Sequence, residues 1–311
     1  MNIITVRYWG GMGNVLFQIA AAIAHSNKQN RPFLLSKYPA FPNLDNHTPA
    51  SIGLDETEFA NTLKEFSEEE IARGEPLPEN QPIKLIGFYQ TYTLFEPYRD
   101  QIFDILGISG IRNAVVPIIH SAAFQSRGLF SPANPTISLH IRRGDYEGLS
   151  CYFLLLNQYY YKLALMNVVR QLLQKNKHIT KFNVLFFYEK KSSESTNKVI
   201  DALLSDNALS KYPIEFHHFN SILDEMERTA TDIEEMAIMS QCNHHIIANS
   251  TYSWWSAYMN PAANKIVCYP DEYFNHQLCH LSNNGLKVDG WTSIPAWNPY
   301  EYKCKCYLQK T

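Results

Sequence analysis

No apolar run of about 18 residues, the length a membrane-crossing helix needs, occurs in the 311-residue chain. The first residues lead straight into the strand-like Ile3-Ile4-Thr5-Val6, with no leader or anchor pattern. The expectation is a cytoplasmic protein, working free or peripheral to a membrane. Positive charge is not in excess either: 27 Lys and Arg stand against 30 Asp and Glu, a formal charge of −3. That balance offers no general attraction to nucleic acid or to an anionic lipid surface, so any anion site has to be local. Two motifs are missing as well. No D-x-D pair occurs, although such pairs commonly hold the divalent metal of a nucleotide diphosphate. The turn Gly11-x-Gly13 lacks the third glycine of a dinucleotide fingerprint, because Leu16 stands there. The six cysteines are scattered, and a chain this long needs no disulfide framework, so they read as reduced thiols. Neither Cys304-Lys-Cys306 nor His276-x-x-Cys279-His280 has a second ligand pair at zinc-like spacing.

With 45% hydrophobic and 18% charged residues the chain can bury a full core. Ile3–Val6 reads as a strand, the glycines as a turn, residues 15–24 as a buried alanine-rich helix, and Phe33-Leu34-Leu35 as the next strand. Residues 38–82 carry prolines at 39, 42, 49, 76, 78 and 82 and the acidic run Glu68-Glu69-Glu70. They read as an irregular insertion with short helices near 56–66 and 68–73, its acids a solvated face. A strand at 83–89 and a helix at 98–106 follow. The passage between domains is placed in Asn113 to Pro135, which holds a helix-like 115–124. Beyond it strands are expected at 136–141, 183–188, 214–219, 244–248 and 265–269. Helices are expected between them, at 157–174, 195–205, 232–242 and from Ser253. Such alternation implies βαβ units and a parallel sheet. The fold expected is α/β, two Rossmann-like domains facing a central cleft, with residues 1–125 as the first and 126–311 as the second.

Four constellations could carry chemistry. The first is His140-Ile141-Arg142-Arg143-Gly144-Asp145-Tyr146, where two arginines follow the end of a buried strand. Ligands of open α/β sheets sit outside the carboxyl ends of strands, and guanidinium forks match phosphate oxygens in pairs. Ile137, Leu139 and Ile141 share one face of that strand, with Ser138, His140 and Arg142 on the other. Arg143 could instead form a structural ion pair, with Asp145 or another acid. The second is Gly11, Gly13 and Asn14, either a tight packing turn or a helix N-terminus lining a ligand cleft. The third is Asp232, which either contacts a ligand or caps its helix together with Glu235. The fourth is Asn249-Ser250-Thr251-Tyr252-Ser253, hydroxyls opening a helix at another strand end, followed by Trp254-Trp255 as core anchors. With no D-x-D, arginine and helix N-termini would have to neutralise a diphosphate.

Three segments together resemble glycosyltransferase family 11, the α-1,2-fucosyltransferases, in order and spacing. They are Gly10-Gly11-Met12-Gly13-Asn14-x-x-Phe17-Gln18, His140 to Tyr146, and Ile246-Ile-Ala-Asn-Ser-Thr-Tyr-Ser-Trp-Trp255. The resemblance implies a GT-B fold, GDP-fucose as donor, inversion at the fucose anomeric carbon, no cofactor or required metal, and a galactose-terminated glycan as acceptor. It implies that Arg142 neutralises the pyrophosphate, with His140, Arg143 and Asp145 shaping the donor site; an inverting transfer also wants a base, which the sequence does not identify, with Asp145 and Glu147 as candidates. Asp232 resembles the acid that contacts the nucleotide, and Asn249, Ser250, Thr251 and Ser253 the loop near the phosphates. Gly11, Gly13 and Asn14 would face the cleft from the other domain. One departure is Val15-Leu16, where the family has a glutamine and then methionine or leucine. The missing anchor makes the chain resemble the bacterial or viral soluble members.

Overall fold

The computed structural model describes residues 2–298. Its described residues divide into two compact units, one of residues 2–111 with Asn284–Lys287, the other of Arg112–Asn283 with residues 288–298. The division falls earlier than the expected 125/126 boundary. The short helices Val116–Ile119 and Ala122–Gln125 belong to the second unit, where Arg127 pairs with Glu225 at 2.5 Å and Ser121 donates to Met226 Sδ. Each unit is built on an all-parallel sheet, so the α/β class expected from the sequence is the one observed.

In the first unit the strands are β1 (Ile4–Val6), β2 (Lys64–Ser67) and β3 (Ile83–Ile86), in the order β1-β3-β2. Phe33 makes only an isolated bridge to Ile4, so the strand expected at Phe33–Leu35 does not form. β2 was expected as the end of a helix. Leu63 closes the helix Glu56–Thr62 in extended backbone, and β2 then pairs along β3 with only Phe66 buried. The helix Met12–Gln29 buries fourteen of its eighteen residues. It starts at Gly11, directly after Gly10 at φ +81, where a Cβ would lie 2.5 Å from Asn14 Nδ2.

The second unit carries β4 (Thr136–His140), β5 (Phe182–Phe187), β6 (Ile214–His218), β7 (His244–Ile246), β8 (Val267–Pro270) and β9 (Thr292–Ile294). Their spatial order is β6-β5-β4-β7-β8-β9. Counted within the unit this is 3-2-1-4-5-6, the doubly wound order, whose direction reverses between β4 and β7. The crevice at that reversal is where such sheets take ligands.

Every residue of β4 is buried, as a strand covered on both faces requires. Ile137, Leu139 and Ile141 pack in one cluster with Ala164, Leu165, Val168 and Val169 of the helix Gln158–Lys175. Toward the other side, Ser138 Oγ lies 2.8 Å from His245 Nδ1, and Asn260 Nδ2 lies 2.8 Å from His245 Nε2 and from the Cys242 carbonyl. Because the amide nitrogen can only donate, Nε2 accepts and Nδ1–H donates to Ser138. Burial holds this histidine well below its ordinary pKa, and hence neutral. Trp254 and Trp255 are both fully buried, as core anchors.

The ends of the strands are tied by two tyrosines at the start of the helix Gln158–Lys175. Tyr160 donates to the Ile247 carbonyl at 2.5 Å and lies 3.3 Å from that of Cys268, while Tyr161 donates to the His140 carbonyl at 3.1 Å. Among the described residues no single helix is long and apolar enough to cross a membrane. Replacing Tyr160 by Phe leaves two buried carbonyls without that donor. Urea unfolding should show a loss of about 1–3 kcal/mol; an unchanged midpoint and slope would mean that the hydroxyl ties nothing.

Candidate active site

The residues Arg142 to Tyr146 leave the carboxyl end of β4 and turn sharply at Gly144, whose φ is +64. A Cβ there would lie 2.5 Å from Glu189 Oε2, so glycine is required both by the backbone and by the carboxylate against it. The Gly144 N–H donates to Ser192 Oγ at 2.9 Å. This close approach brings the end of β5 beside the end of β4. Arg142 then reaches two carboxylates: Nη1 donates to Glu189 Oε1 at 2.5 Å and Nη2 to Asp145. Its guanidinium also covers the Tyr146 ring at 4.9 Å, and Lys191 holds the second oxygen of Glu189 at 2.8 Å.

Arg143 goes elsewhere. It is buried, donates to the Leu156 carbonyl at 2.8 Å and has no carboxylate partner among the described contacts. The two guanidiniums therefore do not form one anion cradle, because successive side chains at the strand end leave on opposite sides. Its position is that of a residue holding the loop before the helix Gln158–Lys175.

His140 is buried at the last position of β4, with Nδ1 unpartnered and its ring 5.8 Å from that of Tyr252. Burial, and secondarily the Arg142 charge, push its pKa down to about 3, so the ring is neutral at physiological pH. Tyr252 donates to the Asp232 carbonyl at 2.6 Å and lies 3.4 Å from Glu235 Oε1. The cap of the helix Asp232–Gln241 is not the one expected. Thr231 accepts from the Glu234 N–H and Glu234 accepts from the Thr231 N–H, one residue earlier than a box made by Asp232 with Glu235. Both of those acids are thereby released from capping. Asp232 is exposed, and Glu235 is pushed up to about 7 by burial and then by the charge of Asp232, with a smaller contribution from Glu189.

The last loop is largely occupied with its own structure. Asn249 Nδ2 donates to the carbonyls of Leu154 and Tyr273, both at 2.9 Å, and the Asn249 carbonyl accepts from Tyr146. Its Oδ1 is buried without a partner. Ser250 caps the helix Thr251–Met259 by accepting from the Tyr252 N–H, and Ser253 Oγ accepts from the Ala248 N–H at 3.2 Å. Thr251 opens that helix, half-buried. Gly11, Gly13 and Asn14 lie in the other unit, where Asn14 Oδ1 accepts from Gln90 at 3.1 Å. Within the second unit His140, Arg142, Asp145, Asp232 and the 249–253 loop gather at the carboxyl edge.

Sequence reasoning passed over Glu189, took Glu235 only as a capping partner and gave Tyr252 no role of its own. Glu189 looks like part of a solvated charged turn, Glu189-Lys190-Lys191, and only the pairing of β4 with β5 shows what it faces. The faint signal for Tyr252 was its place inside the 249–253 motif.

Comparison with known proteins bears on this edge. The Glycosyl transferase family 11 model matches residues 211–294. The α-1,2-colitosyltransferase of Escherichia coli is 24% identical over 89% of this chain and 94% of its own length. The O-antigen biosynthesis glycosyltransferase WbnK of Escherichia coli is 29% identical over 68% of this chain, and this chain spans 60% of that protein's length. Across that matched segment the chain is similar to glycosyltransferase family 11. The matched region holds Asp232, Glu235, Tyr252 and the whole 249–253 loop, whereas Arg142 lies before it. Among solved structures, the α-1,6-fucosyltransferase NodZ of Bradyrhizobium, in crystals soaked with GDP-fucose, superposes with a TM-score of 0.40 at 13% identity. That superposition covers 84% of this chain and 93% of NodZ.

The state of Glu235 can be tested through stability. A carboxyl whose folded pKa is raised from the ordinary 4.5 to about 7 binds its proton more tightly when folded. The folded protein then holds more protons than the unfolded chain between those values, so stability falls as pH rises through that window and is level above it. Glu235→Gln should flatten the fall in melting temperature between about pH 4.5 and 7 and leave the variant the more stable above pH 7. Parallel curves for the two proteins would refute the shifted pKa.

Proposed function

We propose that this chain is a glycosyltransferase of family 11 that transfers L-fucose from GDP-fucose to the 2-hydroxyl of a terminal galactose, with inversion at the fucose anomeric carbon. The observation that carries the reading is Arg142 at the reversal point of the doubly wound sheet, a fork held at the place where a nucleotide diphosphate binds in such sheets. The three sequence motifs of the family and the α-1,2 linkage in the name of the colitosyltransferase support it.

In the reaction the acceptor oxygen bonds to the anomeric carbon as the bond from that carbon to the β-phosphate oxygen breaks. The bonding pair leaves with GDP. Arg142 donates to the diphosphate as this charge grows, an effect on the order of 10²–10³-fold for a well-placed donor. To do so the guanidinium has to release Asp145, Glu189 or both. Asp145, which stands on the same turn, then takes the proton of the acceptor hydroxyl. His140, neutral and beside Tyr252, together with Asp232 and the 249–253 loop, shapes the donor site. No cofactor or metal is called for when arginine carries this charge.

A second reading concerns the donor sugar alone. Colitose is fucose without its 3-hydroxyl, and the relative aligned over nearly its whole length is a colitosyltransferase. Comparing kcat/KM for GDP-fucose and GDP-colitose separates the two. Arg142→Ala should lower kcat about 100- to 1000-fold in a protein that still melts cooperatively, and Arg142→Lys should recover little of it, because the fork is lost. Asp145→Asn should lower kcat more than it raises KM. Near-wild-type turnover by the Arg142→Ala protein sinks the assignment. GDP should raise the melting temperature where UDP and NAD do not; stabilisation by UDP and not by GDP would refute the donor class.

A further inference from the structure

At the carboxyl edge of the first unit's sheet lies a pocket of about 400 Å³ lined by Trp9, Ser67, Glu68, Glu69, Gly87 and Phe88, among others. All three strands feed it: Trp9 follows β1, Ser67 ends β2 and Phe88 follows β3. Two features make it a built site. First, Trp9 is 61% exposed and Phe88 44%, unusual for such large rings, and their centroids lie 6.5 Å apart. Second, the backbone under each ring is fixed from below. Gln18 accepts from the Trp9 N–H at 2.8 Å and donates to the Trp9 carbonyl at 3.1 Å. Glu68 Oε2 accepts from the N–H groups of Phe88 and Tyr89, both at 2.9 Å. That approach exists because residue 87 is glycine, where a Cβ would stand 2.5 Å from Glu68 Cβ. Tyr89 beside it is held at φ +51, a conformation side chains rarely adopt.

The chemistry of the lining selects its ligand. Ser67 and Glu70 are occupied by the cap of the helix Glu68–Ala72, whereas Glu69 is exposed at the pocket. Carboxylates repel a nucleotide diphosphate and accept hydrogen bonds from neutral hydroxyls. An exposed pair of rings offers an apolar floor. A molecule with one C–H face and a rim of hydroxyls fits both, which describes a pyranose. We propose that this pocket binds one hexose of a neutral glycan, its C–H face on Trp9 and Phe88 and its hydroxyls toward Glu69. β-Galactosides fit best, since the axial 4-hydroxyl clears one face of the ring. That the hexose belongs to the acceptor rests on the transferase reading; that it binds here does not.

Saturation-transfer NMR with methyl β-D-galactopyranoside tests the proposal on the full chain. Saturation should pass from the protein to the protons of one face of the sugar. Trp9→Ala and Phe88→Ala, both at exposed positions that leave cooperative melting intact, should each weaken binding about tenfold. Trp9→Phe should keep most of it. In a transfer assay the same alanine variants should raise the KM for a β-galactoside acceptor about tenfold. The proposal falls if the parent protein transfers no saturation to the galactoside at millimolar concentration, or if both alanine variants bind it like the parent. A failed transferase reading looks different, since no nucleotide sugar would then release GDP while galactoside binding and its dependence on Trp9 would persist.

Discussion

The carboxyl edge of the second sheet depends on the hydroxyls of Tyr160 and Tyr161. Both lie in the first turn of one helix: Tyr161 reaches the carbonyl that finishes β4, and Tyr160 reaches the carbonyl just past β7 and that of Cys268 within β8. Where a doubly wound sheet reverses direction, its two central strands diverge to opposite connections, and the carbonyls at their ends would be left to water or to nothing. Fixing them from one helix sets the spacing of the two loops that leave there. The loop carrying Arg142 and the loop carrying Ser250 keep a common frame because both start from carbonyls bound to neighbouring residues.

Within that frame the side chains at the strand ends are compressed toward one another. Glycine at 144 lets Glu189 approach the turn, and Arg142 then lies between Glu189 and Asp145. Burial, and after it the acids Asp232 and Glu189, raise the Glu235 carboxyl to about 7. His140 is driven the opposite way, neutral by burial beside a cation. These are the divergent environments from which a site with separate charge-bearing and neutral groups is made.

Much of this edge could be read in the sequence. The apolar alternation of Ile137, Leu139 and Ile141 located β4, and its polar end marked where Arg142 meets the carboxylates. What the sequence could not show follows from distance along the chain. Glu189 comes nearly fifty residues after Arg142, and no local pattern links them. The cap of the helix Asp232–Gln241 was misread by one residue because two acids follow each other at Glu234-Glu235, and either can complete a box. β2 was hidden because a four-residue edge strand with Lys64 and Glu65 in it lacks the apolar density of a central strand. The acidic run after it looked like a solvated face, whereas Glu68 turns inward to hold the backbone of Phe88. The expected domain passage came too late, since helical turns before Phe124 carry no mark of which unit they pack on. Cys304 and Cys306 lie outside the described residues.

The position of Arg142 between two carboxylates changes how an anion would arrive. Counting Arg142 and Lys191 against Asp145, Glu189 and Asp232, the edge carries no surplus of positive charge. A diffusing anion is therefore not drawn in from beyond a Debye length, as it would be by a basic cleft. It has to exchange with carboxylates already in contact, an exchange in which a single weak charge gains little and a chelating pair of phosphates gains twice. Discrimination would rest on the swap of partners at contact rather than on the encounter, and free inorganic anions would compete poorly.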